Sequence, residues 1–95
     1  MTGEQEKEIL LDALSCFGII NQRNKTIEEL SELTKELCKA ANNNGDNYIQ
    51  IAEEIADVLI MVQQMILFYN IQDDVERFKL MKLKRLRYFI AEMES

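Results

Sequence analysis

Histidine is absent from the 95 residues. With it go Ser-His-Asp and Cys-His nucleophile pairs, imidazole-zinc centres and the Glu-x-x-His ligands of di-iron bundles. Proline is absent too, and glycine stands only at Gly3, Gly18 and Gly45, none of them inside a strongly periodic stretch. The two cysteines, Cys16 and Cys38, lack CxxC spacing and fall in helical patterns, so buried thiols are expected rather than a disulfide or a zinc site. No apolar run reaches the roughly 20 residues of a membrane span, because Gln63 and Gln64 break the longest one. The acidic start, MTGEQEKEIL, lacks the basic and apolar regions of a signal peptide. A cytoplasmic protein with no membrane partner is expected. An excess of basic charge is also missing: the net charge of −6 argues against a nucleic-acid partner, which needs a basic footprint.

What is present is globular and helical. The chain is expected to form a single domain over residues 1–95. A domain this small buries only about two thirds of its unfolded surface, so self-association is expected. Strand signals are missing, and the apolar spacing predicts four helices, an all-α fold. The first runs from about Glu4 to Phe17, with acids in its first turn where the macrodipole favours them. The second starts at Ile19 or Asn21 and ends near Ala41, with an apolar stripe of Ile27, Leu30, Leu33, Leu37 and Ala40. Turn formers at Asn42 to Asp46 stop it, and Asp46 or Asn47 is available to cap the third helix. That helix, Tyr48 to Tyr69, is apolar around most of its circumference from Ile55 onward, as if buried on several sides, including a subunit interface. A joint at Asn70 to Gln72 leads to a fourth helix, with Asp73 or Asp74 as its N-cap.

Two acidic pairs on the central helices are the candidate chemistry: Glu29 with Glu32, and Glu54 with Asp57. Residues three apart share a helical face, so both carboxylates of a pair can reach one ion. Spacing alone is uninformative: chance gives about three such pairs at this composition, and the chain has three, the other being Asp73 with Glu76. Context adds weight, since each pair borders an apolar stripe and the short link makes the two helices antiparallel neighbours. If the pairs meet, four carboxylates repel one another and invite a cation. Ligands that are all oxygen select Mg2+, or Mn2+, over zinc or copper. The bland alternative is two solvated helix faces.

Late in the chain Lys79, Lys82, Lys84, Arg85 and Arg87 fall within nine residues. Lys82 and Arg85 share a face and can hold phosphate oxygens. Alone, they read equally as a basic helix end that salt-bridges an acidic surface.

In the order IEELSEL (27–33), EEIADVL (53–59) and KLKRL (82–86), the chain resembles the MazG-type all-α nucleoside triphosphate pyrophosphohydrolases, most of all their short, single-domain phage and bacterial members. The resemblance extends from about Phe17 to Tyr88. It implies a four-helix MazG-like bundle completed by homo-oligomerisation. It also implies that an E-x-x-E and an E-x-x-D motif, here Glu29, Glu32, Glu54 and Asp57, bind Mg2+ and form the catalytic centre. A K-x-x-R motif, here Lys82 and Arg85, would contact the phosphates. Gln22 and Lys25 match polar residues that recur before the first motif. Glu28 and Glu53 are candidates for a general base or for supporting the ligands. The implied reaction is hydrolysis of an NTP or dNTP to the monophosphate and pyrophosphate. The competing expectation is a non-catalytic helical adaptor, or a degenerate relative that binds nucleotide without turnover.

Overall fold

The computed structural model describes residues 1–43 and 45–95. Within them the chain forms four helices and no strand: α1 (Gly3–Phe17), α2 (Ile19–Asn43), α3 (Tyr48–Tyr69) and α4 (Gln72–Glu94). None is long and apolar enough to cross a membrane.

The helix ends have local causes. α1 opens on a capping box: Thr2 Oγ1 accepts from the Gln5 N–H at 3.1 Å, and the Thr2 N–H donates to Gln5 Oε1 at 2.8 Å. Glu4 and Glu6 occupy its first turn, as expected. Gly18 separates α1 from α2 at φ +83°, its N–H donating to the Leu14 carbonyl. Of the turn formers after α2, Asn44 lies outside the described residues, while Gly45 adopts φ +79°. α3 ends at Asn70 in the left-handed region, where its N–H reaches the Ile66 and Leu67 carbonyls.

Of the two candidates for the cap of α3 the position falls to Asn47, while neither Asp73 nor Asp74 caps α4. Asn47 occupies the cap position of α3 but makes no side-chain cap bond. Its amide instead donates to Glu36, at 2.9 Å to the carbonyl and 2.7 Å to Oε2. Ile71 precedes α4, and Asp73 and Asp74 lie inside its first turn, where their charge favours the helix through the macrodipole.

α2 and α3 pair antiparallel and make the main contact of the chain; α1 lies against α3 and touches α2. Among the described residues α4 contacts α3 alone, and from Glu76 to Ser95 every residue is exposed. Among the described residues only Met61 and Ile66 are buried hydrophobics. The apolar stripe of α2 is covered only in part: Leu33 and Ala40 are half-buried, whereas Ile27 is 60% exposed and Leu30 and Leu37 are also exposed. On α3 the same holds for Ile55, Leu59, Ile60 and Phe68. Cys16 and Cys38, expected to be buried, are exposed thiols. One physical reason serves for all of these: two paired helices cover one face of each other, and α1 covers only part of the rest. The chain is correspondingly extended, with a radius of gyration of 16.6 Å against about 12 Å for a compact domain of this length.

Candidate metal centre

The seam between α2 and α3 is polar where a two-helix seam would ordinarily be apolar. On α2, Gln22, Thr26 and Glu29 are buried, and on α3 so is Gln64. Their spacing of three, four and seven residues places each set on one helical face. Gln22 Nε2 donates to Gln64 Oε1 at 2.8 Å, and Gln64 Nε2 lies 3.7 Å from the Met61 sulfur. Thr26 closes on its own helix, its hydroxyl donating to the Gln22 carbonyl at 2.7 Å.

Two turns along α2 from Gln22, the seam becomes acidic. Glu29, Glu54 and Asp57 each bring one carboxylate oxygen within 4.8 Å of the others. Glu29 is only 7% exposed, Glu54 is half-buried and Asp57 open to solvent. Glu54 Oε2 is buried and has no hydrogen-bond partner. Burial pushes the Glu54 carboxyl above its ordinary value, and the charges of Glu29, Asp57, Glu32 and Glu36 push the same way. Lys25 answers part of the charge from the edge: its Nζ is 3.3 Å from Glu29 Oε1 and 3.5 Å from Glu28 Oε1. The Glu29 bond, then the charges of Glu28 and Glu29, raise the Lys25 ammonium above its usual range.

Of the four acids singled out by sequence, three therefore converge. Glu32 is exposed and stands outside the trio, although its charge is felt at Glu54. Glu28 is exposed and turned to Lys25, and Glu53 is exposed. Lys82 and Arg85 are exposed on α4, which does not reach α2, and among the described residues neither forms an ion pair.

No protein-family model, curated protein or solved structure matches the chain. The chemistry of the site therefore rests on its own donors.

Those donors fit a small hard cation. All are carboxylate oxygens, which suits Mg2+ or Mn2+, and the partnerless Glu54 Oε2 is a buried acceptor that a cation would satisfy. Sequence reasoning did not single out Gln64, Thr26 or Glu36. Gln64 follows Asp57 by seven residues and so shares its face, and that spacing is the signal in the sequence that marks it. Glu36 continues the acid row of α2 and is half-buried. The Asn47 amide bond holds its carboxyl below the ordinary value; burial opposes this, and Lys39, at 3.2 Å, assists it.

Proposed function

We propose that the chain is a Mg2+-dependent nucleoside triphosphate pyrophosphohydrolase of MazG type that converts an NTP or dNTP to the monophosphate and pyrophosphate. The observation that carries this reading is the convergence of Glu29, Glu54 and Asp57 around a buried carboxylate oxygen with no partner. Motif order supports it, since the same acids fall in the E-x-x-E and E-x-x-D positions of the family that the sequence resembles.

In this reading Glu29, Glu54 and Asp57 would hold the cation, with the exposed Glu32 available one turn along α2 from Glu29. Bound Mg2+ supplies charge neutralisation at the phosphate oxygens and polarises water. The oxygen of water attacks the α-phosphorus, the bond from the α-phosphorus to the α–β bridging oxygen breaks, and pyrophosphate leaves with that oxygen. A carboxylate of the group accepts the water proton. Glu28 is the weaker candidate for that step, because Lys25 already holds its Oε1. Lys82 and Arg85 hold the outgoing pyrophosphate. The Gln22–Gln64 bond anchors the two acid-bearing helices to each other, so that the ligands stand in position before substrate arrives. The protein works as a cytoplasmic homodimer or homotetramer.

A second reading, a helical adaptor without catalysis, draws on the exposed apolar residues of α4, such as Phe78, Leu86 and Phe89. One assay separates the two. The protein is incubated with Mg2+ and a panel of NTPs and dNTPs, and pyrophosphate and orthophosphate are measured separately. Pyrophosphate release from at least one substrate, lost in Glu54→Gln, is expected. No product from any substrate removes the catalytic reading, and orthophosphate alone removes the bond assignment.

A further inference from the structure

Glu29 is the buried acid of the α2–α3 seam, 7% exposed, and a carboxylate so placed stays ionised only if something answers its charge. The polar residues buried with it on α2 are engaged elsewhere: Gln22 donates to Gln64, and the Thr26 hydroxyl donates to the Gln22 carbonyl. Among the described residues the one cation paired with Glu29, Glu54 or Asp57 is Lys25, whose Nζ lies 3.3 Å from Glu29 Oε1. Lys25 is thus the counter-ion of the acid cluster.

It is an incomplete and loosely held one. A single positive charge faces three carboxylates that bring their oxygens within 4.8 Å of one another, and it leaves Glu54 Oε2 buried without a partner. On a helix, a lysine four residues before a glutamate is the weaker order of an ion pair, so the contact adds little to α2 for its own sake. Lys25 also divides its ammonium between Glu29 and Glu28, the latter at 3.5 Å, and its side chain is 49% exposed. A half-exposed ammonium on a flexible four-carbon stem leaves for water at little cost.

A divalent cation corrects both faults, because it carries more charge and accepts several oxygens at once. It also repels an ammonium held on the same carboxylate. We propose that Lys25 is a built-in counter-ion that closes the acid cluster in the metal-free protein, and that its ammonium leaves Glu29 when Mg2+ or Mn2+ is taken up, so that binding of the ion and release of Lys25 are one exchange. This rests on the reading of the cluster as a metal site. It makes Lys25 a positioning residue, one that sets the affinity for the ion without being a ligand to it.

Titration of the full chain with MnCl2 tests it, free Mn2+ being read from its EPR signal in wild type, Lys25→Met, Lys25→Arg and Lys39→Met. A cluster closed by Lys25 about nine-tenths of the time binds the ion about tenfold more weakly than an open one. Lys25→Met is therefore expected to tighten Mn2+ binding about tenfold, and Lys25→Arg, which keeps the cation, to bind no more tightly than wild type. Lys39→Met removes the same formal charge from a pair at 3.2 Å whose partner, Glu36, is not one of the three acids, and is expected to change the affinity much less. Weaker binding in Lys25→Met, the result of a lysine that merely fixes Glu29 in place, overturns the inference. So does unchanged affinity, or equal tightening in Lys39→Met. Circular dichroism checks the helix content of each metal-free variant, and Lys25→Gln carries the same expectation should the methionine variant not fold. Mn2+ binding by the wild type without tightening in Lys25→Met removes the exchange alone, whereas no binding by any of the proteins removes the metal reading and the exchange with it.

Discussion

Gln22 Nε2 donates to Gln64 Oε1 at 2.8 Å across the α2–α3 seam, and this pair sets the register in which the acids meet. Seven residues further along α2 stands Glu29, and seven residues back along α3 stands Asp57. Equal steps in opposite directions are what an antiparallel pair requires, so the amide bond and the acid cluster are two readings of one alignment. A slip of one turn would break both.

Removing that amide pair tests how much the alignment depends on it. Gln64→Ala leaves the buried Gln22 amide unpaired, and a loss of about 1–3 kcal/mol is expected. Urea unfolding monitored by circular dichroism measures it. Gln22→Leu combined with Gln64→Leu replaces both partners with apolar groups and should restore most of the loss.

The metal reading makes an opposite prediction for a single acid. Burial and like charges raise the Glu54 carboxyl, so its ionised form is disfavoured in the folded chain, and its contribution to stability falls as pH rises through the folded value. In metal-free buffer at neutral pH, Glu54→Gln should therefore raise Tm by a few degrees. Added Mg2+ should raise the Tm of the wild type, because a ligand that binds only the native state stabilises it, and should leave the variant unmoved. A thermal-shift titration in EDTA and then in MgCl2 reads both effects; a variant that still responds like the wild type would remove Glu54 from the site.

Glu36 shows the reverse sign. Its carboxyl lies below the ordinary glutamate value, chiefly through the Asn47 amide bond. The stability it contributes is present above that pH and is lost as pH falls through the folded value. Asn47→Ala should lower Tm by several degrees near neutrality and by visibly less in acid, where the wild type has already lost part of the same contribution. Melting curves from about pH 3 to 7 give the difference between the two proteins directly.

Gly18 is set by backbone conformation and not by space. It sits at φ +83° and ψ 157°, a region that only glycine occupies without strain, while a Cβ there would meet nothing within 4 Å. Gly18→Ala is expected to cost about 1–3 kcal/mol of stability. Gly3→Ala, on the first residue of α1 and equally open, should have little effect in the same unfolding assay.

Much of the fold is legible in the residue order because its causes are local. α3 begins at Tyr48 and ends at Tyr69 as the apolar pattern and its flanking asparagines indicate, and Gly18 parts α1 from α2. The misreadings concern groups whose partner is not local. Asn47 looks like a cap and instead bonds Glu36 on the neighbouring helix. Cys16, Cys38 and the α2 stripe look buried because periodicity identifies an apolar face without identifying what covers it.

The sequence by itself determined that this chain is helical, acidic and without histidine, and that its acid pairs offer a metal oxygen alone. Those properties follow from composition and from spacing along one helix. Only the tertiary structure decided that Glu29 is buried against Glu54 and Asp57 while Glu32, one turn away with the same side chain, remains in solvent. It also decided that Gln22 and Gln64 meet, and that Lys82 and Arg85 project on a helix that never reaches the acids of its own chain. Periodicity gives a residue its angle about its own axis; which angle faces a neighbour depends on the packing of two helices, and that is not a property of either one alone.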